Sequence, residues 1–179
     1  MFNLLMDSPI GLIEIKGNEH TITGVYFTGS RKDKTAPKDS NSSVPDILKD
    51  CALQILEYFE GKREVFDIPV ILKGTELQRL VWQEVQNVQY GKTITFSELA
   101  KSLNRLNAVM VIGQMVHNNP IQLLIPDHRI ITEERILTGH EDDIYRKDWL
   151  IRHEQRHNGD SLFGQNKFCV PKGFCCFSS

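Results

Sequence analysis

The residues most able to do chemistry form one run in the second half of the chain, Pro126-Asp127-His128-Arg129, which places a carboxylate, an imidazole and a guanidinium side by side. Two short apolar runs flank it, Leu123-Leu124-Ile125 and Ile130-Ile131, so we expect a bend inside a buried region. Such groups can exchange protons with a bound molecule. A histidine in a bend is, however, ordinarily a satisfied polar group, so the run alone leaves both interpretations open.

Composition places the chain among globular proteins. Its 179 residues suffice for one domain or two small ones, with 40% hydrophobic and 25% charged residues. The formal net charge of -2 gives no global signal for nucleic acid, so DNA contact would need a local basic patch. No apolar run of membrane-spanning length and no signal peptide is found, which predicts an intracellular monomer without a membrane partner. We expect it in the nucleus of a eukaryote or the cytoplasm of a bacterium.

The cysteines do not form a disulfide framework. Three of the four, Cys169, Cys175 and Cys176, lie in the last eleven residues, and Cys51 is far from them in sequence. We therefore expect reduced thiols. His20 and Cys51 are the only histidine or cysteine before His117, so we predict no zinc site and no other cofactor.

Hydrophobic periodicity in the first half predicts a small antiparallel sheet over residues 1–30 and a surface loop over residues 30–43. A helix is expected from Pro45 to Gly61 and a short strand from Phe66 to Leu72. The helix would bury one face, formed by Ile47, Leu48, Cys51, Leu53, Ile55, Leu56 and Phe59.

The second half is predicted to be mainly helical. A helix follows Thr75 and is closed by Tyr90-Gly91, with Leu77, Leu80, Val81, Val85 and Val88 facing inward. Thr95 or Ser97 caps a short helix through Leu103, and another runs from Ala108 to about Asn118. This pair fits a helix-turn-helix, although many other helix pairs look the same. A final helix is expected from about Ile144 to Arg156, followed by a poorly ordered tail.

Several short motifs follow one another between residues 74 and 155. They are Gly74-Thr75-Glu76-Leu77-Gln78, Val81-Trp82, Tyr90-Gly91-Lys92-Thr93, Phe96, Leu99-Ala100, Asn118-Asn119-Pro120 and Leu124-Ile125-Pro126-Asp127-His128-Arg129. In the order and spacing of these motifs the chain resembles the O6-alkylguanine-DNA alkyltransferases. Gln54, Tyr58-Phe59, Gly61, Arg63 and Pro69 fit the end of that family's N-terminal domain.

The resemblance implies an α/β fold in two parts. Residues 1–72 would form a ribonuclease-H-like domain with a small antiparallel sheet and a helix. Residues 73–157 would form a helical domain with a winged-helix-like helix-turn-helix, and residues 158–179 a disordered tail. The family binds duplex DNA in the minor groove, extrudes an O6-alkylated guanine and transfers the alkyl group to a cysteine thiolate, because the target atom is unreachable inside the base stack.

Carried over residue by residue, the resemblance implies a catalytic relay without its nucleophile. Asp127 stands at the position of the acceptor cysteine, and a carboxylate is a weak nucleophile toward an alkyl ether. His128 and its supporting carboxylate Glu154 stand where the family has them, and Asn119 would orient the acceptor loop.

The other departures from the family's motifs lie at positions that are expected to contact DNA. Met110 replaces the arginine that enters the base stack. Its side chain could act as an apolar wedge between base steps, although a methionine is more commonly a core residue. Phe96 replaces a tyrosine, Gln114 replaces a small residue of the recognition helix, and His140-Glu141-Asp142-Asp143 replaces a Tyr-x-Gly-Gly pocket loop. The basic patch would comprise Lys101, Arg105, His117 and Arg129.

These residues together favour a homologue that does not transfer alkyl groups but retains affinity for duplex DNA or O6-alkylated guanine, and that hands lesions to other repair proteins. Two alternatives stay open. One is an active alkyltransferase that uses another acceptor. The other is a vestigial or protein-interaction module without DNA binding, which the acidic loop from Glu141 to Asp143 would favour.

Overall fold

The computed structural model describes residues 1–29 and 44–158. The expected surface loop at 30–43 and the tail beyond residue 158 lie outside these residues. Three strands form an antiparallel sheet in the order β1 (Phe2–Met6), β2 (Leu12–Gly17), β3 (Ile22–Thr28). The alternating side chains of β2 place Ile13 and Ile15 in the core, fully buried, which confirms the predicted sheet.

Helix α1 (Asp46–Phe59) begins after Pro45 and ends before Gly61, as predicted. Its buried face comprises Leu48, Cys51, Ile55 and Tyr58 and packs against the sheet. The predicted face was too wide, because Leu53 and Leu56 are 55% and 47% exposed. A three-stranded sheet covers only a narrow stripe of the helix, so side chains at the margins of that stripe remain in water.

The strand predicted from Phe66 to Leu72 is wrong, since this segment makes only an isolated bridge from Val70 to Ile22 on β3. The Ile22 amide donates to the Pro69 carbonyl at 2.9 Å, and the Ile71 amide donates to the Ile22 carbonyl at 2.9 Å. Proline has no N–H, so Pro69 cannot extend the ladder on its N-terminal side.

Two threonines set the starts of the next helices. Thr75 and Gln78 form a reciprocal capping box at α2 (Glu76–Gln86), and Thr95 and Glu98 form another at α3 (Phe96–Ser102). Thr95, not Ser97, is therefore the cap of the short helix. Along α2 the predicted inward face is wrong at Leu80, which is 44% exposed.

Helix α4 (Val109–His117) follows α3 through a tight turn that contains a 3₁₀ segment, Leu106–Ala108. Asn104 in this turn adopts a positive φ of 56°, which asparagine tolerates better than most residues. The two helices and the short turn that a helix-turn-helix requires are thus present, with bounds within one residue of the prediction for α4.

Helix α5 (Glu141–His157) starts three residues before the predicted Ile144. Glu141, Asp142 and Asp143 form its first turn, where carboxylates interact favourably with the positive end of the helix dipole. The acidic segment predicted as a loop is therefore helical. No helix in the described part of the chain is long and apolar enough to span a membrane.

Two short parallel strands connect these helices to the Pro126–Arg129 bend. β4 (Ile94–Thr95), which leads into α3, pairs with β5 (Ile130–Ile131), which follows the bend. The N-terminal sheet reaches the same region, because the Val25 amide donates to the Pro120 carbonyl at 3.0 Å. The segment before the bend is thus attached to the sheet and the segment after it to the helical half.

Candidate functional site

The Asp127-His128-Arg129 run forms a single 3₁₀ turn in the interior, as the flanking apolar runs predicted. Asp127, His128 and Arg129 are 7%, 1% and 6% exposed. The Arg129 amide donates to the Pro126 carbonyl at 3.0 Å, which closes the turn. Shortly before it, Leu123 adopts a positive φ of 73°, a strained conformation that the surrounding packing has to hold.

Asn119 braces this strained segment. Its Nδ2 donates to the Ile125 carbonyl at 2.8 Å, and its Oδ1 accepts from the Ile121 amide at 2.9 Å. The same Nδ2 lies 3.5 Å from Asp127 Oδ1. The side chain thus spans the loop that precedes the turn and holds its backbone at both ends.

Glu154 on α5 is the hub of the site. Its Oε1 lies 2.7 Å from His128 Nε2, and Arg129 Nε donates to its Oε2 at 2.9 Å. Burial opposes the charge of Glu154, yet His128 and Arg129 outweigh it and hold its pKa well below the ordinary value. The carboxylate is therefore ionised and tightly held.

Two further donors to Glu154 were missed as site residues. The Tyr58 hydroxyl donates to Oε1 at 2.8 Å, and the Gly91 amide donates to Oε2 at 3.0 Å. Burial and the neighbouring Glu154 charge raise the pKa of Tyr58 well above its ordinary value, so its phenol stays a donor. Both residues lie in motifs that carried the resemblance, which was the available signal for them.

Lys147 was also missed, although it forms an ion pair with Asp127. Its Nζ is 3.4 Å from Asp127 Oδ2, and the two side chains are 14% and 10% exposed. Lys147 precedes Glu154 by seven residues, a spacing that places both on one face of α5. The helical period could therefore have linked Lys147 to the site.

A cavity of about 40 Å³ lies beside Asp127, lined in part by His128, Lys147, Arg146 and Gln122. Arg146 closes one side of it: Nη2 donates to the Gly29 carbonyl at 2.9 Å, Nε donates to the Ile10 carbonyl at 3.3 Å, and the guanidinium lies over the Phe27 ring at 5.1 Å. The cavity thus lies where the N-terminal sheet meets α5.

The expected DNA-facing residues are mostly at the surface. Lys101, Arg105, Gln114 and His117 are exposed, and Phe96 is partly buried near Gly113, where an added Cβ would lie 3.7 Å from its ring. Arg129 is an exception: its guanidinium is buried, pairs with Glu154 and donates to the Val88 carbonyl. Arg129 therefore does not contribute to a basic surface patch.

Met110 is 81% exposed near the start of α4, so the core interpretation of this residue is wrong. Leu106 and Val111 nearby are 59% and 48% exposed. The tight turn leaves the first residues of α4 without a covering element, which the apolar character of these side chains could not reveal. Among the described residues, no group of three histidine, cysteine, aspartate or glutamate side chains is placed to hold a metal ion.

Comparison with known proteins gives a consistent result over nearly the whole chain. Residues 1–72 match the family model described as 6-O-methylguanine DNA methyltransferase, ribonuclease-like domain, and residues 76–156 match its DNA binding domain. The methylated-DNA--protein-cysteine methyltransferase of Methanosarcina barkeri is 32% identical over 157 residues, which is 88% of this chain and 99% of that protein. The corresponding protein of Shigella flexneri is 34% identical over 152 residues, 84% of this chain and 87% of its own length.

Solved structures agree. The O6-methylguanine methyltransferase of Mycobacterium tuberculosis superposes with a TM-score of 0.75 at 28% identity, covering 87% of this chain and 93% of that one. A structure of the same enzyme in complex with DNA gives a TM-score of 0.73 at 28% identity, covering 86% and 92%. The chain belongs to the 6-O-methylguanine DNA methyltransferase family.

Proposed function

We propose that this chain is a member of the family that binds duplex DNA without transferring alkyl groups. The observation that carries the proposal is the carboxylate of Asp127, which stands at the position that the resemblance assigns to the acceptor cysteine and lies 3.4 Å from the Lys147 ammonium. A carboxylate is a far weaker nucleophile toward an alkyl ether than a thiolate. Its pairing with a cation weakens it further, so alkyl transfer should not occur.

The surviving contacts of His128 and Glu154 have a structural use that does not depend on transfer. Four residues donate hydrogen bonds to the Glu154 carboxylate or share one with it: Tyr58, Gly91, His128 and Arg129. This network joins α1, the Gly91 turn, the site turn and α5. Removing any member would leave buried polar groups unpaired. The network therefore stabilises the fold even though the chain has no thiol at residue 127.

Binding of duplex DNA is supported by the surface around α3 and α4. Lys101 on α3 and Arg105 in the following turn are exposed cations, and Met110 is exposed near the start of α4. Many minor-groove proteins insert an apolar side chain between base steps. The DNA-binding domain match covers this segment, and the Mycobacterium tuberculosis relative has been solved in complex with DNA. We assign Phe96 and Gln114 to the same face.

The acidic first turn of α5 should make this binding weak. Glu141 and Asp142 are exposed or partly exposed carboxylates, each opposing a DNA phosphate by roughly 1 kcal/mol or less. Asp143 lies 3.5 Å from Arg146 Nη1, which offsets part of its charge. A damage-sensing role, with O6-alkylated guanine as the ligand and other repair proteins as partners, is the alternative to binding of unmodified duplex DNA.

The alternative of transfer to another acceptor finds no support among the described residues. Cys51 is the only cysteine among them, and it is fully buried in α1 against the sheet. Burial raises the pKa of its thiol to about 12, which keeps it protonated and unreactive at neutral pH.

Fluorescence anisotropy with duplexes that do or do not contain O6-methylguanine tests the proposal. We expect measurable binding at low salt that weakens as salt rises, and a shallower salt dependence for Lys101→Ala and Arg105→Ala because each substitution removes a phosphate contact. Lys49→Ala, an exposed lysine on α1, is the matched control. If no duplex is bound at low salt, the chain is instead a vestigial or protein-interaction module.

A further inference from the structure

Asp127 and Lys147 place a hydrogen-bond acceptor and a donor side by side at one wall of the 40 Å³ cavity. Apart from each other and the 3.5 Å contact to Asn119, no hydrogen-bond partner of either side chain is found within residues 1–29 and 44–158. An ionised carboxylate accepts about four hydrogen bonds and an ammonium donates three. Both groups therefore keep capacity for a bound molecule.

The cavity itself is too small for a base. At roughly 10–15 Å³ of accessible space per water, it holds about three water molecules. A base can enter only by displacing these waters and widening the site, and it must then replace the hydrogen bonds that Asp127 and Lys147 lose. Leaving a buried charged group unsatisfied is costly, so a base that replaces these hydrogen bonds is favoured over one that does not.

The edge of the base that meets this pair follows from the chemistry of the family, and the inference therefore rests on the proposed function. A residue that receives an alkyl group from O6 of guanine must face the edge of the purine that carries C6. The atoms of guanine on that edge are O6, which accepts a hydrogen bond, and the adjacent N1–H, which donates one. In this chain the residue facing that edge would be Asp127, with Lys147 beside it.

We infer that the Asp127–Lys147 pair makes this site select an extruded base with a lactam edge, a ring N–H next to a carbonyl. The N–H donates to the Asp127 carboxylate, and the carbonyl oxygen accepts from the Lys147 ammonium. Guanine and hypoxanthine present this edge as N1–H and O6, and uracil and thymine present it as N3–H and O4. The ligand class is thus the unalkylated or deaminated base.

O6-alkylguanine lacks both halves of this edge. Alkylation turns the carbonyl oxygen into an ether, a poorer acceptor for Lys147, and removes the proton from N1, whose lone pair then faces the Asp127 carboxylate. Sites built to hydrogen-bond a substrate group reject analogues without it by about 10⁴–10⁵-fold. Because water can enter when this cavity opens, we expect a smaller factor, about tenfold.

The test uses the full chain and three duplexes of one sequence, with guanine, hypoxanthine or O6-methylguanine at one position opposite thymine. Anisotropy should give Kd values for guanine and hypoxanthine at least about tenfold below that for O6-methylguanine. Asp127→Asn and Lys147→Met should each bring the three values to within about threefold of one another. Because the wild type and the variants are measured on the same duplexes, differences in the free energy of extruding each base cancel when the preferences of the proteins are compared.

The Asp46–Lys49 pair on α1 provides the matched controls, because it is an exposed ion pair with a 3.0 Å Nζ–Oδ1 distance. Asp46→Asn and Lys49→Met should keep the wild-type preference. Circular dichroism checks the fold of each variant, and the preference of Lys147→Met decides the matter if Asp127→Asn does not fold. Hypoxanthine lacks the exocyclic amine of guanine, so binding that matches guanine would show that the lactam edge suffices.

Three results would overturn the inference. One is equal affinity for the three duplexes or a preference for O6-methylguanine. Another is a lactam preference that survives both site substitutions, because recognition would then lie elsewhere. A third, the absence of binding to every duplex, would overturn the proposed function and the inference with it, and it is distinguishable from the first two because no Kd is obtained.

Discussion

His128 Nε2 lies 2.7 Å from Glu154 Oε1, and both side chains are at most 2% exposed. The same carboxylate pairs with Arg129, so one anion on α5 holds two consecutive residues of the site turn. In a transferring enzyme such a pair would help to keep a thiol deprotonated. Here residue 127 has no thiol, and the pair instead fixes the turn against α5.

Glu154→Gln should therefore destabilise the fold strongly. The substitution leaves the buried guanidinium of Arg129 without its counter-charge, and breaking a buried pair on one side costs about 3–5 kcal/mol. Urea denaturation at pH 7 measures this loss. Glu60→Gln, which breaks the surface pair with Lys62, is the control and should cost less than about 1 kcal/mol. A similar small loss for both variants would show that Glu154 is not the hub.

Stability should also fall in acid through Glu154. Its pKa is depressed in the folded protein, because His128 and Arg129 outweigh its burial, relative to about 4.3 in the unfolded chain. A depressed carboxyl pKa stabilises the fold above the unfolded pKa, and this contribution is lost as pH falls below it. The stability difference between wild type and Glu154→Gln should therefore shrink as pH falls below about 4. A difference that grows in acid would contradict this.

Met110→Ala should separate DNA binding from stability. Because the side chain is 81% exposed, its truncation should change the free energy of unfolding by less than about 0.5 kcal/mol. We expect DNA affinity to fall several-fold, as an inserted wedge is lost. Leu53→Ala, which truncates an exposed residue on α1, should affect neither quantity. Unchanged DNA binding by Met110→Ala would remove this residue from the interface.

Asp127→Cys should restore little alkyl transfer. The substitution returns a thiol next to the His128–Glu154 pair, but Met110, Phe96 and the acidic first turn of α5 remain. Incubation with DNA that carries labelled O6-methylguanine measures the fraction of protein labelled. Labelling close to one methyl group per chain would show that residue 127 alone separates this protein from a transferring one.

The sequence could predict features that depend on neighbouring residues in the chain, such as helix caps and the buried turn. Thr75 and Thr95 are readable as caps because each has a glutamine or glutamate three residues later, and the buried turn is readable from its apolar flanks. The exposure of Leu53 and Leu80 was not predictable, since periodicity shows which residues share a face but not how much of it a neighbour covers. Lys147 reaches Asp127 because Glu154 holds α5 against the site turn and Arg146 attaches α5 to the N-terminal sheet, the latter through contacts more than one hundred residues apart in sequence.

The proposal that this chain binds DNA but accepts no alkyl group can be tested with wild-type protein incubated in excess over duplex DNA that carries a labelled O6-methyl group. The protein and the DNA are separated before the label is counted. We expect the label to stay with the DNA even at protein concentrations where the duplex is bound. Label recovered on the protein chain would show that transfer occurs.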